Sequence, residues 1–207
     1  MLTLDNLSLS FNDEIIFQNL SINLAKTSIV KVKGINGAGK TTLLKIIAQI
    51  LKPNTGEIFW QGKPLKHSNA KINYVGHDLG LKLNDTVGNN IAFWSSLTDS
   101  SLMFEAAIYY FRLEEIIDIK CEYLSQGWKK KVALARLLAC FADIWVLDEP
   151  EINLDEDSKQ RLFHAIDVRA GEGGIIFIAS HSELPLKNYI TLDIMDFIPR
   201  LETNANE

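Results

Sequence analysis

Gly34-Ile35-Asn36-Gly37-Ala38-Gly39-Lys40-Thr41-Thr42 fits the pattern G-x-x-x-x-G-K-[ST], and its flanks determine the architecture around it. Ahead of it, Ile29-Val30-Lys31-Val32-Lys33 reads as a short strand. Behind it, Thr41 to Leu51 carries apolar residues at helical spacing and stops before Pro53. Strand, glycine loop, helix is the order a phosphate loop demands. Glycines let successive backbone N–H groups turn inward around phosphate oxygens, and the helix aims its positive end at them. Lys40 then adds a mobile cation for the β- and γ-phosphates, and Thr41 is the expected Mg²⁺ ligand. A glycine turn that merely opened a helix would need neither Lys nor Thr at those offsets, so every residue from Gly34 to Thr42 is a candidate nucleotide contact.

Such a loop serves GTPases, small-molecule kinases and many ATPases, and the rest of the machinery must come from elsewhere in the chain. Asp148-Glu149 supplies it. Four apolar residues, Ile144-Trp145-Val146-Leu147, read as a strand buried on both faces and deliver the two carboxylates to its C-terminal end, where α/β sheets place ligands. Successive strand residues point opposite ways, so the acids can divide the work. Asp148 holds Mg²⁺, and Glu149 orients and deprotonates the attacking water.

Toward the N-terminus, Leu2 to Phe11 and Leu20 to Leu24 alternate apolar with polar, with Asn12-Asp13 as turn chemistry between them. An antiparallel layer therefore opens the fold. Glu57 to Trp60 and Lys71 to Val75 add strands on either side of a Gln61-Gly62-Lys63-Pro64 turn. From about residue 85 to 140 the apolar residues recur at three and four, including Trp94 to Leu97, Leu102, Ala106, Tyr109, Tyr110, Leu113 and Ile116, which predicts a helical subdomain. A helix over Asp157 to Arg169 and a buried strand over Ile175 to Ala179 complete parallel α/β grammar. Thr203 to Glu207 reads as a frayed end. At 207 residues, the chain matches about 1.4 domains of average size, so one domain with an inserted subdomain is expected. The 47% apolar content and net charge of −5 exclude disorder and argue against a nucleic-acid coat. The longest apolar runs are far short of a membrane span, and no secretory signal is visible at Met1-Leu2-Thr3-Leu4-Asp5. Cys121 and Cys140, with no Cys-x-x-Cys, read as reduced packing residues.

Between the two motifs stands Leu124-Ser125-Gln126-Gly127-Trp128, followed by Lys129-Lys130-Lys131-Val132-Ala133-Leu134-Ala135-Arg136. This resembles the signature of ABC-type ATPases, LSGGQ with a basic helix behind it, and the resemblance covers essentially the whole chain. It implies a P-loop nucleotide-binding domain with an antiparallel β-subdomain, acting on ATP with Mg²⁺. It implies too that Ser125 and Gly127 face a γ-phosphate bound by a second copy of the chain, so that each ATP is sandwiched between two subunits. Ser125 suits that place because it can cap a helix whose positive end points at the phosphate. By the same resemblance Asn153-Leu154-Asp155 is the D-loop and His181 the switch histidine. Asp78 stands at the glutamine that ligates Mg²⁺ in the Q-loop, and Phe11 falls where an aromatic stacks on adenine, although a core-facing strand residue fits that position nearly as well. Three departures stand out: Asp78 for glutamine, Gln126 for glycine, where it can crowd the partner's phosphate, and Trp128 for glutamine.

Within that family, Trp60-Gln61-Gly62-Lys63-Pro64-Leu65, Val75-Gly76-His77 with Gly80-Leu81-Lys82, and Val132 to Leu137 are similar to the ATP-binding subunits of cytochrome c maturation, the CcmA type. This closer resemblance implies a pair of ATPases bound beneath transmembrane subunits at the cytoplasmic face of the inner membrane, energising haem delivery or export, with the loop from Asp78 to Val87 as the seat of the membrane partner. His67, His77, His164 and His181 form no ligand pair at helical spacing, so no haem contact is expected in this chain. A GTPase would need an Asn-Lys-x-Asp guanine reader, which is absent. Cassettes that act on ribosomes or DNA usually come in tandem or carry a coiled-coil insertion, and neither fits this length. An ABC ATPase of another transporter and a catalytically weak regulatory nucleotide-binding module stay open as alternatives.

Overall fold

The structure, a computed structural model, describes residues 1–12, 14–97 and 101–199. Asp13 of the anticipated turn and the Thr203–Glu207 tail lie outside them, as does the side chain of Leu102. Two sheets form. In the first, β1 (Leu2–Phe11) pairs antiparallel with β2 (Glu14–Leu24) and with β4 (Thr55–Trp60), and the two-residue β5 (Lys63–Pro64) closes the order β2-β1-β4-β5. Alternation drives it: Leu2, Leu4, Leu7 and Leu9 are all buried, and the slip between Leu4 and Leu7 is taken up by a register shift at Asn6, whose φ is +50°. In the second, β3 (Ile29–Lys33), β6 (Ile72–Val75), β7 (Ile144–Asp148), β8 (Ile175–Ala179) and β9 (Ile190–Asp193) run parallel in the order β6-β7-β8-β3-β9.

The parallel sheet divides two cores, and the strands feed both by alternation. Ile144, Val146, Ile175 and Phe177 face Leu43, Leu44, Ile46 and Ile47 of α1 (Lys40–Ile47), with Leu4 and Phe17 of the antiparallel sheet behind. Trp145, Leu147, Ile176 and Ile178 face the opposite core, built with α2 (Val87–Ser96), α3 (Ser101–Tyr110), α4 (Gln126–Ala139) and α5 (Glu156–Gly171). A fully buried Leu or Ile contributes about 1.5–3 kcal/mol, so burial on both faces makes these central strands the rigid floor from which the loops rise. Cys121 and Cys140 are free and buried, as expected.

Four elements differ from the sequence reading. The helix after the glycine loop ends at Ile47, not Leu51: Gln49 turns to φ +60° and the N–H groups of Gln49 and Ile50 close on Ile46 and Lys45, a left-handed stop made without the usual glycine. β2 starts at Glu14, well before Leu20, because the hairpin with β1 continues to its tip. β9 escapes a reading by apolar runs because Ile190 and Thr191 are exposed. In α3 the buried face is Ala107 and Ile108, continued by Phe111, while Ala106 and Tyr109 face outward. That helix is apolar almost all round, so its period does not select a face.

Candidate functional site

Residues 34–42 lie where β3 hands over to α1. Gly39 caps the helix at φ +94° with no side-chain cap, a left-handed conformation that favours glycine, and a side chain there would run into Ile16 of β2. The first N–H groups of α1 are thereby left for a ligand. Lys40 is buried, 8% exposed, and its Nζ donates to the carbonyl oxygens of Gly34 and Ile35 at 2.9 and 3.0 Å. The cation is thus folded over the loop it is expected to serve. Phe11 is 49% exposed, which removes the core-facing alternative. It closes the β1–β2 hairpin opposite Glu14, the end from which Ile16 reaches Gly39.

The sheet order delivers the acids to this loop. β7 lies two strands from β3, and α1 crosses toward it, so Thr41 Oγ1 donates to Asp148 Oδ2 at 2.7 Å. Two hard oxygen donors meeting at the exit of a phosphate loop fit a Mg²⁺ site, with nucleotide oxygens as further ligands. Register then explains Glu149. Asp148 pairs with Ala179, Glu149 N–H donates to the Ala179 carbonyl at 2.9 Å, and the chain continuing from β8 places His181 Nε2 3.1 Å from Glu149 Oε1. On the other flank Val75 pairs with Leu147, and His77 Nε2 lies 3.8 Å from Asp148 Oδ2 and 3.9 Å from Glu149 Oε2. Tyr74, on the same strand as Val75, has its phenol pushed up to about 12 by burial first and by the Asp148 charge second.

The residues of the signature turn are accessible. Ser125 and Gln126 are exposed, and Ser125 caps α4 by accepting the Trp128 N–H. A Cβ on Gly127 would stand 2.7 Å from the Asn153 carbonyl oxygen, so only glycine lets the signature turn rest on the D-loop. Gln126 lines a small cleft of its own chain with His77, Lys130, Glu149 and Asn153. Lys131 Nζ meets Asp155 Oδ2 at 2.7 Å and lies 4.4 Å from the ring centre of Trp128. That hydrogen bond is the first reason the Asp155 carboxyl sits below its ordinary range, followed by bonds from Ser158.

Asp78 is not brought to the acids by any contact among the described residues. It is exposed, and its Oδ1 accepts the Gly80 N–H at 3.0 Å, tightening its own turn. Its neighbour His77 faces Asp148 and Glu149 instead. His77 and Lys130 are thus the site residues that the sequence does not reveal: His77 follows the strand beside β7, and Lys130 reaches Glu149 from α4, relations that exist only in the folded arrangement. Lys130 Nζ donates to the Glu149 carbonyl at 3.0 Å. Ser180 donates to Glu151 Oε1, tying the end of β8 to the loop after β7. Arg136 donates to the Tyr74 and Leu79 carbonyls and stacks 5.1 Å from the Trp94 ring, so α4, α2 and the 76–80 turn share one side chain. Burial draws its guanidinium down to about 10, which still leaves it charged at neutral pH.

The sequence and the fold have counterparts among known proteins. The ABC transporter family profile matches residues 17–151. A curated protein of Rickettsia bellii named cytochrome c biogenesis ATP-binding export protein CcmA is 42% identical over 189 residues, spanning 91% of this chain and 96% of its own. The CcmA of Wolbachia pipientis wMel is 35% identical over 202 residues, 95% and 98% of the two chains. The chain belongs to the CcmA family of ABC transporter ATP-binding proteins. Among solved structures, this CcmA-family chain is similar to an ABC transporter ATP-binding protein from Pyrococcus furiosus, with TM-score 0.80 and 29% identity over 96% of this chain and 99% of that one. A dimeric ATP-binding cassette solved with ADP and Pi shares the fold, with TM-score 0.77 and 23% identity over 88% of each chain. As a member of this family, the chain has an ATP-binding domain.

Proposed function

We propose that this chain is the ATP-hydrolysing subunit of a membrane ABC complex that energises an export step of cytochrome c biogenesis, with haem as the cargo class. The observation that carries hydrolysis is the junction of Thr41 with Asp148, beside a Glu149 carboxylate flanked by two imidazoles. Lys40, released from the Gly34 and Ile35 carbonyls, neutralises the β- and γ-phosphates, and the α1 N-terminus receives them. Thr41 and Asp148 would hold Mg²⁺, which would supply charge neutralisation to the bound phosphates. Glu149 takes a proton from the water whose oxygen bonds to the γ-phosphorus as the bridging oxygen–phosphorus bond breaks. His181 holds the Glu149 carboxylate in place and faces the γ-phosphate. Asp78, whose carboxylate is engaged with Gly80, is the weakest of the proposed metal ligands, and Phe11 is open for adenine.

The signature turn around Gly127, with Ser125 and Gln126 exposed, supports a second copy as the partner that closes each site. Leu83 in the loop into α2, and Phe93 on α2 beneath Lys82 of that loop, are large apolar residues left exposed, and Asn90 staples the loop by bonding Lys82 N–H and carbonyl. A preformed loop that presents an exposed leucine beside an exposed phenylalanine suits a transmembrane partner, with residues from about 85 to 140 as the subdomain that meets it. Among the described residues no helix is long and apolar enough to cross a membrane, so the proposed place at the cytoplasmic face of the inner membrane depends on that partner. Glu149→Gln tests the whole: it should bind ATP, accumulate as a dimer by light scattering and lose turnover. Wild-type turnover in that variant overturns the assignment. Loss of haem delivery in cells carrying it checks the cargo.

A further inference from the structure

A buried cation on α4 lies against the loop that carries Glu149. Lys130, in the second turn of α4, is 7% exposed, and its Nζ donates to the Glu149 main-chain carbonyl at 3.0 Å. Burial lowers its pKa, while the charges of Glu151, Asp148 and Glu149 raise it, and such carboxylates are what make an ammonium tolerable in a dry place. The group it holds is unusual. Glu149 is not glycine, yet its φ is +49°, a conformation that persists only where the surroundings fix it from more than one side. Two fixings are present: the Glu149 N–H is tied to Ala179 of β8, and its carbonyl is tied to Lys130 of α4.

The second tie has a mechanical consequence. Lys130 stands four residues after Gln126 and three after Gly127, on the same face of one helix. Gly127 itself rests against the Asn153 carbonyl, and Gln126, Lys130, Glu149 and Asn153 line one cleft. A helix moves as a rod, so displacement of the signature turn is carried by Lys130 to the peptide on which the Glu149 carboxylate is mounted. We propose that Lys130 is a positioning residue that holds the Glu149 backbone in its left-handed conformation and makes the aim of that carboxylate depend on the position of the signature turn in the same chain. The inference rests on Glu149 acting as the base. In a sandwich dimer each signature turn meets the nucleotide of the other copy, so Lys130 reports the other site's occupancy to its own Glu149.

Steady-state ATP hydrolysis and fluorescent ATP-analogue binding on the full chain test this together. Lys130→Met keeps the stem and removes only the charge. It should lower kcat by about tenfold to a hundredfold, as misplacement of a catalytic group does, with nucleotide Kd changed less than about twofold and the Hill coefficient for ATP reduced toward one. Lys130→Arg should restore most of kcat. Adding Lys130→Met to Glu149→Gln should cost the residual rate less than about twofold, since the two act as a unit. Wild-type kcat in Lys130→Met overturns the proposal, and so does a fall in affinity that matches the fall in kcat, a fully additive double variant, or failure of arginine to rescue. Should Lys130→Met not fold, the Arg variant alone decides: it must keep turnover and cooperativity. A wild-type chain that binds no nucleotide overturns the proposed function and this inference with it, and the binding assay alone identifies that outcome.

Discussion

Asp155 shows how much one side chain organises beside the site. Its Oδ1 accepts the Ser158 N–H at 2.8 Å, capping α5, while Oδ2 meets Lys131 Nζ at 2.7 Å. It therefore fixes both the D-loop exit and the helix that bears the signature. Asp155→Ala should destabilise the fold by about 1 kcal/mol, the usual cost of a lost cap, measured by urea denaturation at pH 7. The sign of the pH dependence follows from the depressed folded-state pKa. The contribution is present above the ordinary carboxylate pKa and is lost as pH falls from there toward the folded value, so the gap between wild type and variant should narrow below about pH 4. Asp155 was legible in the sequence as a D-loop residue but not as the partner of Lys131. The meeting of the 34–42 loop with Asp148 and Glu149 was legible because each lies in a contiguous motif at the end of a readable strand. His77 and Lys130 were not, since each reaches Glu149 across elements, through the order of β6 beside β7 and the lie of α4 across them both.

Helix α3 shows where periodicity fails. The residues that a three-and-four spacing picked out include Ala106 and Tyr109, yet Tyr109 is 75% exposed and the core takes Ile108 with Ala107 and Phe111. Ser101-Leu102-Met103-Phe104-Glu105-Ala106-Ala107-Ile108-Tyr109-Tyr110 has one charge in ten residues, so several apolar stripes compete and only packing against α4 chooses between them. The consequence is measurable. Ile108→Ala should cost about 2–5 kcal/mol, the range for emptying a buried aliphatic site, whereas Tyr109→Ala should stay within about 0.5 kcal/mol of wild type. Equal losses would return Tyr109 to the core. By contrast β7 and β8 were read within a residue, because a run of apolar residues long enough for one strand and buried on both faces leaves no face to select.

At the scale of the molecule, the parallel sheet converts local motifs into one site. Its order sets β3, β8, β7 and β6 side by side, so the loops leaving their C-terminal ends, which carry Lys40, His181, Glu149 and His77, converge although they are scattered through the sequence. Both cores abut those strands, so ligand that bridges the loops ties the two halves of the fold together. ATP with Mg²⁺ at about a hundred times its Kd should therefore add about 2.7 kcal/mol to the stability of the native state by mass action. For a chain of this size that raises the melting midpoint by about 5–10 °C. Lys40→Ala should melt near the wild-type temperature without nucleotide, since its Nζ bonds only the Gly34 and Ile35 carbonyls of a loop whose residues 35–37 are exposed, and should lose most of the nucleotide-induced rise. Glu149→Gln should keep the rise in full, because it removes the proposed base while the 34–42 loop and the Thr41–Asp148 junction stay in place. Differential scanning calorimetry at matched protein concentration separates the two variants. A rise preserved in Lys40→Ala would mean that the nucleotide is held elsewhere than at residues 34–42.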